Sequence, residues 1–359
     1  MRLWANSFLA FTILAAFGPA ADAFEPARLA LASTQDDEVY FDVAGIWPDT
    51  CPPQLREVSS RGHEIRLTAT RETTGCRASP TPYAFFSPAL PRDQLLTGNG
   101  VHRVRFEIDG APGEDPLLAG FALVRAGDAI SGMSLESGFW WAEQGGEFGA
   151  GPGLGLSVET QGSLISLSVM GYGAHGAPAW YFGAGELADG IAHLDLGQFE
   201  GGAGPFARYA APEEIRLSGV VDVETLTPSR AILWFSRADA GTGAIDLRPL
   251  SIMRFSFAQE PGDALLGRWL VAGAESGTRD TRWIEFVRSE SLAGGFVLYD
   301  ADDTAALHCD TPPGHPGSPP AICRMEISGG DAIEFTDVAF RRLSGWDSEA
   351  RRTIAFRLD

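Results

Sequence analysis

The side chains that could do chemistry are few and scattered. The chain has six histidines, and none sits in a catalytic spacing. His63 opens "HEIRL", which lacks the second histidine that H-E-x-x-H uses to present two imidazoles on one helix face. No G-x-S-x-G places a serine on a strand-to-helix elbow, and no P-loop is present. His308, Cys309, His315 and Cys323 have the composition of a zinc tetrahedron. Asp300, Asp302 and Asp303 in "YDADDT" offer hard oxygens of the kind calcium takes, without the glycine and distal glutamate of a full EF-hand loop. A disulfide with two loop histidines accounts for the first group in an exported chain, and a hairpin turn accounts for the second. No metal, cofactor or catalytic residue is assigned. With 47 acids, no pair at glycosidase separation can be singled out.

The aromatics carry more information. Trp140 and Trp141 stand together in "GFWW", and Tyr172 is followed by the pair Trp180–Tyr181. Flat apolar faces with a polar tip suit sugar rings and extended peptides. Neighbours along a strand point to opposite faces. If Trp140 faces a core, Trp141 and Phe139 face away from it, and the same rule splits Trp180 from Tyr181. Trp141, Tyr172, Trp180 and Tyr181 are therefore the candidate ligand-binding residues. The competing reading is that another module of the same chain covers them. Gly151, Gly153 and Gly155 neither follow a strand nor open a helix, so they do not form a phosphate loop. They mark a bend or close backbone approach.

These residues must be positioned by strands. Period-2 alternation recurs along the chain: Ile165, Leu167 and Val169; Ile215, Leu217, Val221 and Val223; Cys323, Met325 and Ile327; Ile354, Phe356 and Leu358. Helical periodicity is almost absent beyond the N-terminus, and 43 Gly with 23 Pro supply turns. The expectation is an all-β protein of sandwiches or barrels. Three Gly-x-Trp openings, at Gly45, Gly138 and Gly267, read as module starts. They divide the chain into a polar lead-in 24–37, a first module 38–126, a β-meander 134–258 opened by "GFWW", and a β module 264–359 opened by "GRW". The last two form one barrel-like domain or two. Four cysteines allow three pairings. The local one, Cys51–Cys76 with Cys309–Cys323, keeps each pair within one module.

The N-terminus reads as an export signal. Arg2 supplies charge, Phe8 to Phe17 is an apolar run, and Ala21-Asp22-Ala23 fits cleavage after Ala23. The run is too short to span a bilayer. The chain carries a net charge of −20 and has no lysine, so all 27 basic residues are arginine. That balance argues against nucleic acid, whose phosphates demand basic patches. The expectation is a periplasmic or extracellular protein without a membrane span.

Two resemblances add to this reading. The segments "GIWPDTCPPQ", "GCRASPTPYAFFSPAL" and "GVHRVRFEID" resemble Ig-like domains of secreted bacterial proteins, which implies an N-terminal seven-stranded sandwich. Gly138, Trp140 and Trp141; Gly153, Gly155, Glu159, Gln161 and Gly162; and Tyr172, Gly176, Pro178 and Trp180 resemble a β-repeat of exported proteobacterial proteins. That repeat has no assigned activity. Here Ala142 and Glu143 replace its usual Asn-Pro, and a longer insertion follows. The Gly-x-Trp meander is also similar to small lipocalin- or avidin-like barrels. The functional expectation is a non-catalytic binding or scaffold protein that recognises a glycan, peptide or protein partner through β-sheet aromatics. The alternatives are a secreted hydrolase of glycans or peptides, and an avidin-like protease inhibitor using residues 24–38.

Overall fold

The computed structural model describes residues 24–358 except 35, 111–113, 128–133, 145–146, 151–152, 174–175, 204–205, 213, 240–241, 259, 274–280, 313–316 and 331. The expected export signal, Gly151 and His315 lie outside the described residues. The chain is all-β and builds three sheets in succession.

The first sheet holds β1 (Glu25–Ser33), β2 (Glu38–Asp49), β3 (Gln54–Arg61), β4 (Glu64–Thr70), β5 (Ala78–Phe86), β6 (Leu90–Pro91), β7 (Gly100–Ile108) and β8 (Leu117–Ala126). Its order is β3-β4-β7-β8-β1-β2-β5, with β6 on β2. The expected Ig-like sandwich is not shown. The strands form one continuous sheet, a half-barrel. The lead-in supplies the reason: it is strand β1, which pairs parallel with β8 and antiparallel with β2. It thereby fills the gap that would separate two facing sheets. Phe24 packs edge-on against Trp47 at 5.9 Å.

The second sheet closes into a barrel of β9 (Gly138–Ala142), β10 (Gly155–Gln161), β11 (Leu164–Tyr172), β12 (Pro178–Ala188), β13 (Ile191–Glu200), β14 (Glu214–Thr227), β15 (Arg230–Asp239) and β16 (Ala244–Arg254). Each strand is antiparallel to its neighbours, and β16 closes on β9. An eight-stranded barrel is just wide enough for side chains to fill. Trp140, Leu156, Leu167, Leu194, Val221 and Leu233 are among those that fill this one.

The third sheet is a second closed barrel: β17 (Gly267–Gly273), β18 (Arg282–Leu292), β19 (Gly295–Asp300), β20 (Ala305–Asp310), β21 (Cys323–Ile327), β22 (Ile333–Val338), β23 (Arg342–Asp347) and β24 (Arg352–Arg357). Both expected disulfides form. Cys309 and Cys323 lie directly opposite across β20 and β21, and Cys51 bonds Cys76.

Two of the three Gly-x-Trp motifs open a barrel. Gly138 and Gly267 begin β9 and β17 at φ 129° and 122°, a conformation that favours glycine. Trp140 and Trp269 are fully buried. Each indole N–H donates to a backbone carbonyl four residues upstream, Trp140 to Glu136 at 3.0 Å and Trp269 to Leu265 at 2.9 Å. An arginine from the last strand braces each opening: Arg254 donates to the Phe139 carbonyl, and Arg357 to the Ala264 carbonyl. Gly45 differs, because it lies inside β2 rather than at a module start.

Two expectations about strand faces need correction. β14 carries an extra residue where Gly197 pairs Leu217 and Leu196 pairs Gly219. A bulge of one residue flips the strand's faces. Val221 and Val223 therefore point inward, while Ile215 and Leu217 are exposed. In β24, Ala355 fills the core, and Phe356 and Leu358 are exposed. Alternation identifies a strand but not which of its faces meets the core.

Polar joints hold the modules together. Arg103 of the half-barrel reaches the buried Glu224 at 3.3 Å, lies over the Trp234 ring at 4.7 Å, and shares Glu224 with the Trp234 N–H. Glu136 joins the two barrels by accepting the backbone N–H groups of Phe340 and Arg341. Burial pushes the Glu136 carboxyl up, and those two donors pull it partly back. The Ser256 N–H also donates to Gly317 within the disulfide-stapled hairpin.

Candidate functional site

The outer wall of the first barrel carries a band of apolar side chains. Strand register sets them in rows. One row runs from Trp141 through Gly155, Met170 and Trp180, strand by strand. Trp180 then stacks on Phe199 at 5.1 Å between ring centroids, and Phe199 pairs with Ile215. The next row runs through Phe139, Ser157, Ser168, Phe182, Gly197 and Leu217. The β-bulge in β14 turns Ile215 (58% exposed) and Leu217 (56%) outward, so it completes both rows. At the same end of the barrel, the β13–β14 connection holds Phe206 and Tyr209 fully in solvent.

The four candidate residues separate into two pairs. Tyr172 (66% exposed) and Trp180 (48%) stand on the outer wall. They flank a shallow cleft of about 420 Å³ whose lining includes Gly153, Met170, Gly171 and Pro178. Gly153 lies beside the Tyr172 ring at φ 127°, a conformation that favours glycine. Tyr181 takes the opposite face and packs against the barrel interior. Trp141 points outward as expected but is half covered. Phe255, just past β16, lies 5.7 Å from its ring, and Phe139 lies 6.4 Å away. Phe257 extends this cluster beside Phe139 and Phe255. A neighbouring segment thus accounts for Trp141 and the core accounts for Tyr181, while Tyr172 and Trp180 stay open to a ligand.

Met170, Phe182 and Phe199 did not stand out in the sequence, and Ile215 and Leu217 read there as one face with Val221 and Val223. The alternation of β11 and β12 would have placed Met170 and Phe182 on the face of Trp180. The other three require the pairing of β13 with its neighbours and the bulge.

On another part of the wall, His193 Nδ1 and Asp222 Oδ1 lie 2.7 Å apart. The Asp222 hydrogen bond holds the imidazole pKa above its ordinary value, and burial pushes the Asp222 carboxyl up. This is the base-and-orienter half of a triad. Among the described residues no hydroxyl or thiol hydrogen-bonds the other nitrogen of His193.

Four members of the metal-like groups have structural roles, and His308 stands on strand β20 rather than in a loop. Cys309 and Cys323 are spent in a disulfide. Asp300 Oδ1 accepts from the backbone N–H groups of Thr304 and Ala305 at 2.7 and 3.0 Å, and Asp303 pairs with Arg288. That is the chemistry of a satisfied hairpin turn. Within the stretch 24–38 expected for an inhibitory arm, residues 25–33 form strand β1, paired antiparallel with β2 and joined to β8 at Ala27. No helix among the described residues is long and apolar enough to cross a membrane.

The fold and the site together define an all-β chain of two closed eight-stranded barrels and a half-barrel, with an aromatic band on the first barrel. Neither the protein-family models nor the curated proteins give a match to this chain.

Proposed function

We propose that this protein is an exported, non-catalytic binding or scaffold protein that recognises an extended polymer, peptide or protein partner on the outer wall of its first barrel. The observation that carries this reading is the open band of Tyr172, Trp180, Phe182, Ile215 and Leu217. The joints to the neighbouring modules run through other residues, among them Glu224, Asp189, Glu136, Ser229 and Ser256. Soluble proteins rarely leave contiguous apolar surface of this kind exposed unless something binds there. The leader-like N-terminus and two disulfides support export. The test is capture on glycan and peptide arrays. The Tyr172→Ala/Trp180→Ala double variant should lose capture with its melting temperature unchanged, since exposed substitutions change stability by only about 0.5 kcal/mol. Retained capture by the variant would overturn the reading, and so would release of a cleaved product by the native chain.

A further inference from the structure

We infer that the ligand of this wall is a cationic, amphipathic peptide segment; this rests on the binding reading above and names its partner class. The first argument is the edge of the band. Beyond the two apolar rows, the outward positions of β10, β12 and β13 are Glu159, Glu186 and Asp195. All three are exposed, and none has an ion-pair partner among the described residues. Ser166 and Ala184 lie between them in the register, and the arginines that act electrostatically here, Arg254 on Glu159 and Arg28 of the half-barrel on His193, form no ion pair with the three carboxylates. His193, opposite Glu186, is engaged by Asp222. Arg216 is paired with Glu200, and Arg208 lies in the connection at the far end.

Carboxylates beside aromatic rings suit lysine and arginine twice over. The rings take the cation on their faces or the aliphatic stem beneath it, and the carboxylates take the charged head. The net charge of −20 draws such a segment in from a distance and repels acidic polymers. Among the described residues the cleft lining offers two polar side-chain groups, the Tyr172 hydroxyl and the Trp180 indole N–H. A sugar seated there would find few side-chain partners for its hydroxyls.

Size points the same way. Strands about 4.8 Å apart and rows about 6.8 Å apart give a band of roughly 400 Å². That is about half of what each partner contributes to a standard protein interface of about 800 Å², and it matches an extended segment better than a second globular copy.

The test uses two capped decapeptides, one alternating lysine and leucine and the other glutamate and leucine, titrated into the full chain at low and high salt. The lysine peptide should bind, weaken with salt, and bind at least tenfold more tightly than the glutamate peptide. The Glu159→Gln/Glu186→Gln/Asp195→Asn variant should weaken it at least tenfold and flatten its salt dependence. Equal binding of both peptides, or no effect of the triple variant, would overturn the inference. Capture of a neutral oligosaccharide or of zwitterionic vesicles instead, abolished by Trp180→Ala, would also overturn it while leaving the binding wall standing. Lysine-peptide binding that survives Trp180→Ala would overturn both.

Discussion

The two barrels share an interior and differ in their walls. Both open on a glycine at positive φ, bury a tryptophan whose N–H returns to the backbone four residues upstream, and close with a bracing arginine. Their outer rows diverge from the first paired position. Next to Trp141 the first barrel sets Gly155, over which the Phe139 and Met170 side chains approach, and the row then continues to Ile215. Next to Leu270 the second barrel sets the exposed Trp283, and β19 offers Trp283 no pairing partner. The second barrel instead carries a disulfide across β20 and β21. The repeated interior is what an eight-stranded barrel needs in order to close. The wall is free to vary, so function is to be sought there.

The largest test of this comparison removes the shared feature. Trp140→Ala and Trp269→Ala should each cost about 3–5 kcal/mol, through lost burial and the cavity left behind. Stability should fall by similar amounts in both, as read by denaturant unfolding. A small loss at either site would break the equivalence of the two openings. A smaller effect should separate the barrels. Cys309→Ser with Cys323→Ser should cost about 3 kcal/mol for a closed loop of this length. Hydrogen exchange should then rise in the second barrel and its hairpin against Ser256, with the first barrel's interior protected. Uniform loosening would mean that the two barrels unfold as one unit.

The smallest effect belongs to the first barrel's wall. Because Asp222 holds the His193 pKa above its unfolded value, the pair's contribution to stability is full below about pH 6.5. It is lost as pH rises through the folded value. His193→Gln should therefore lower the melting temperature more in mild acid than in alkali, and a melting series across pH checks this. A constant loss would assign the imidazole a packing role only.

The candidate site was legible in part. Strand alternation separated Trp140 from Trp141 and Trp180 from Tyr181, because backbone geometry enforces opposite faces. It could not say that Phe255 would shelter Trp141, since that contact joins residues far apart in the chain. Ile215 and Leu217 were read with Val221 and Val223 because parity was assumed to persist, and one inserted residue broke it.

By itself the sequence determined the strand content, the local cysteine pairing and the tryptophans that open each barrel. Those features depend on short-range periodicity and on which modules hold which residues. The tertiary structure alone decided that the lead-in joins the first sheet, that two barrels close separately, and that the apolar rows align across β9 to β14. Each of those depends on pairing between distant strands, where register, and with it the face a side chain presents, is fixed only when the sheet assembles.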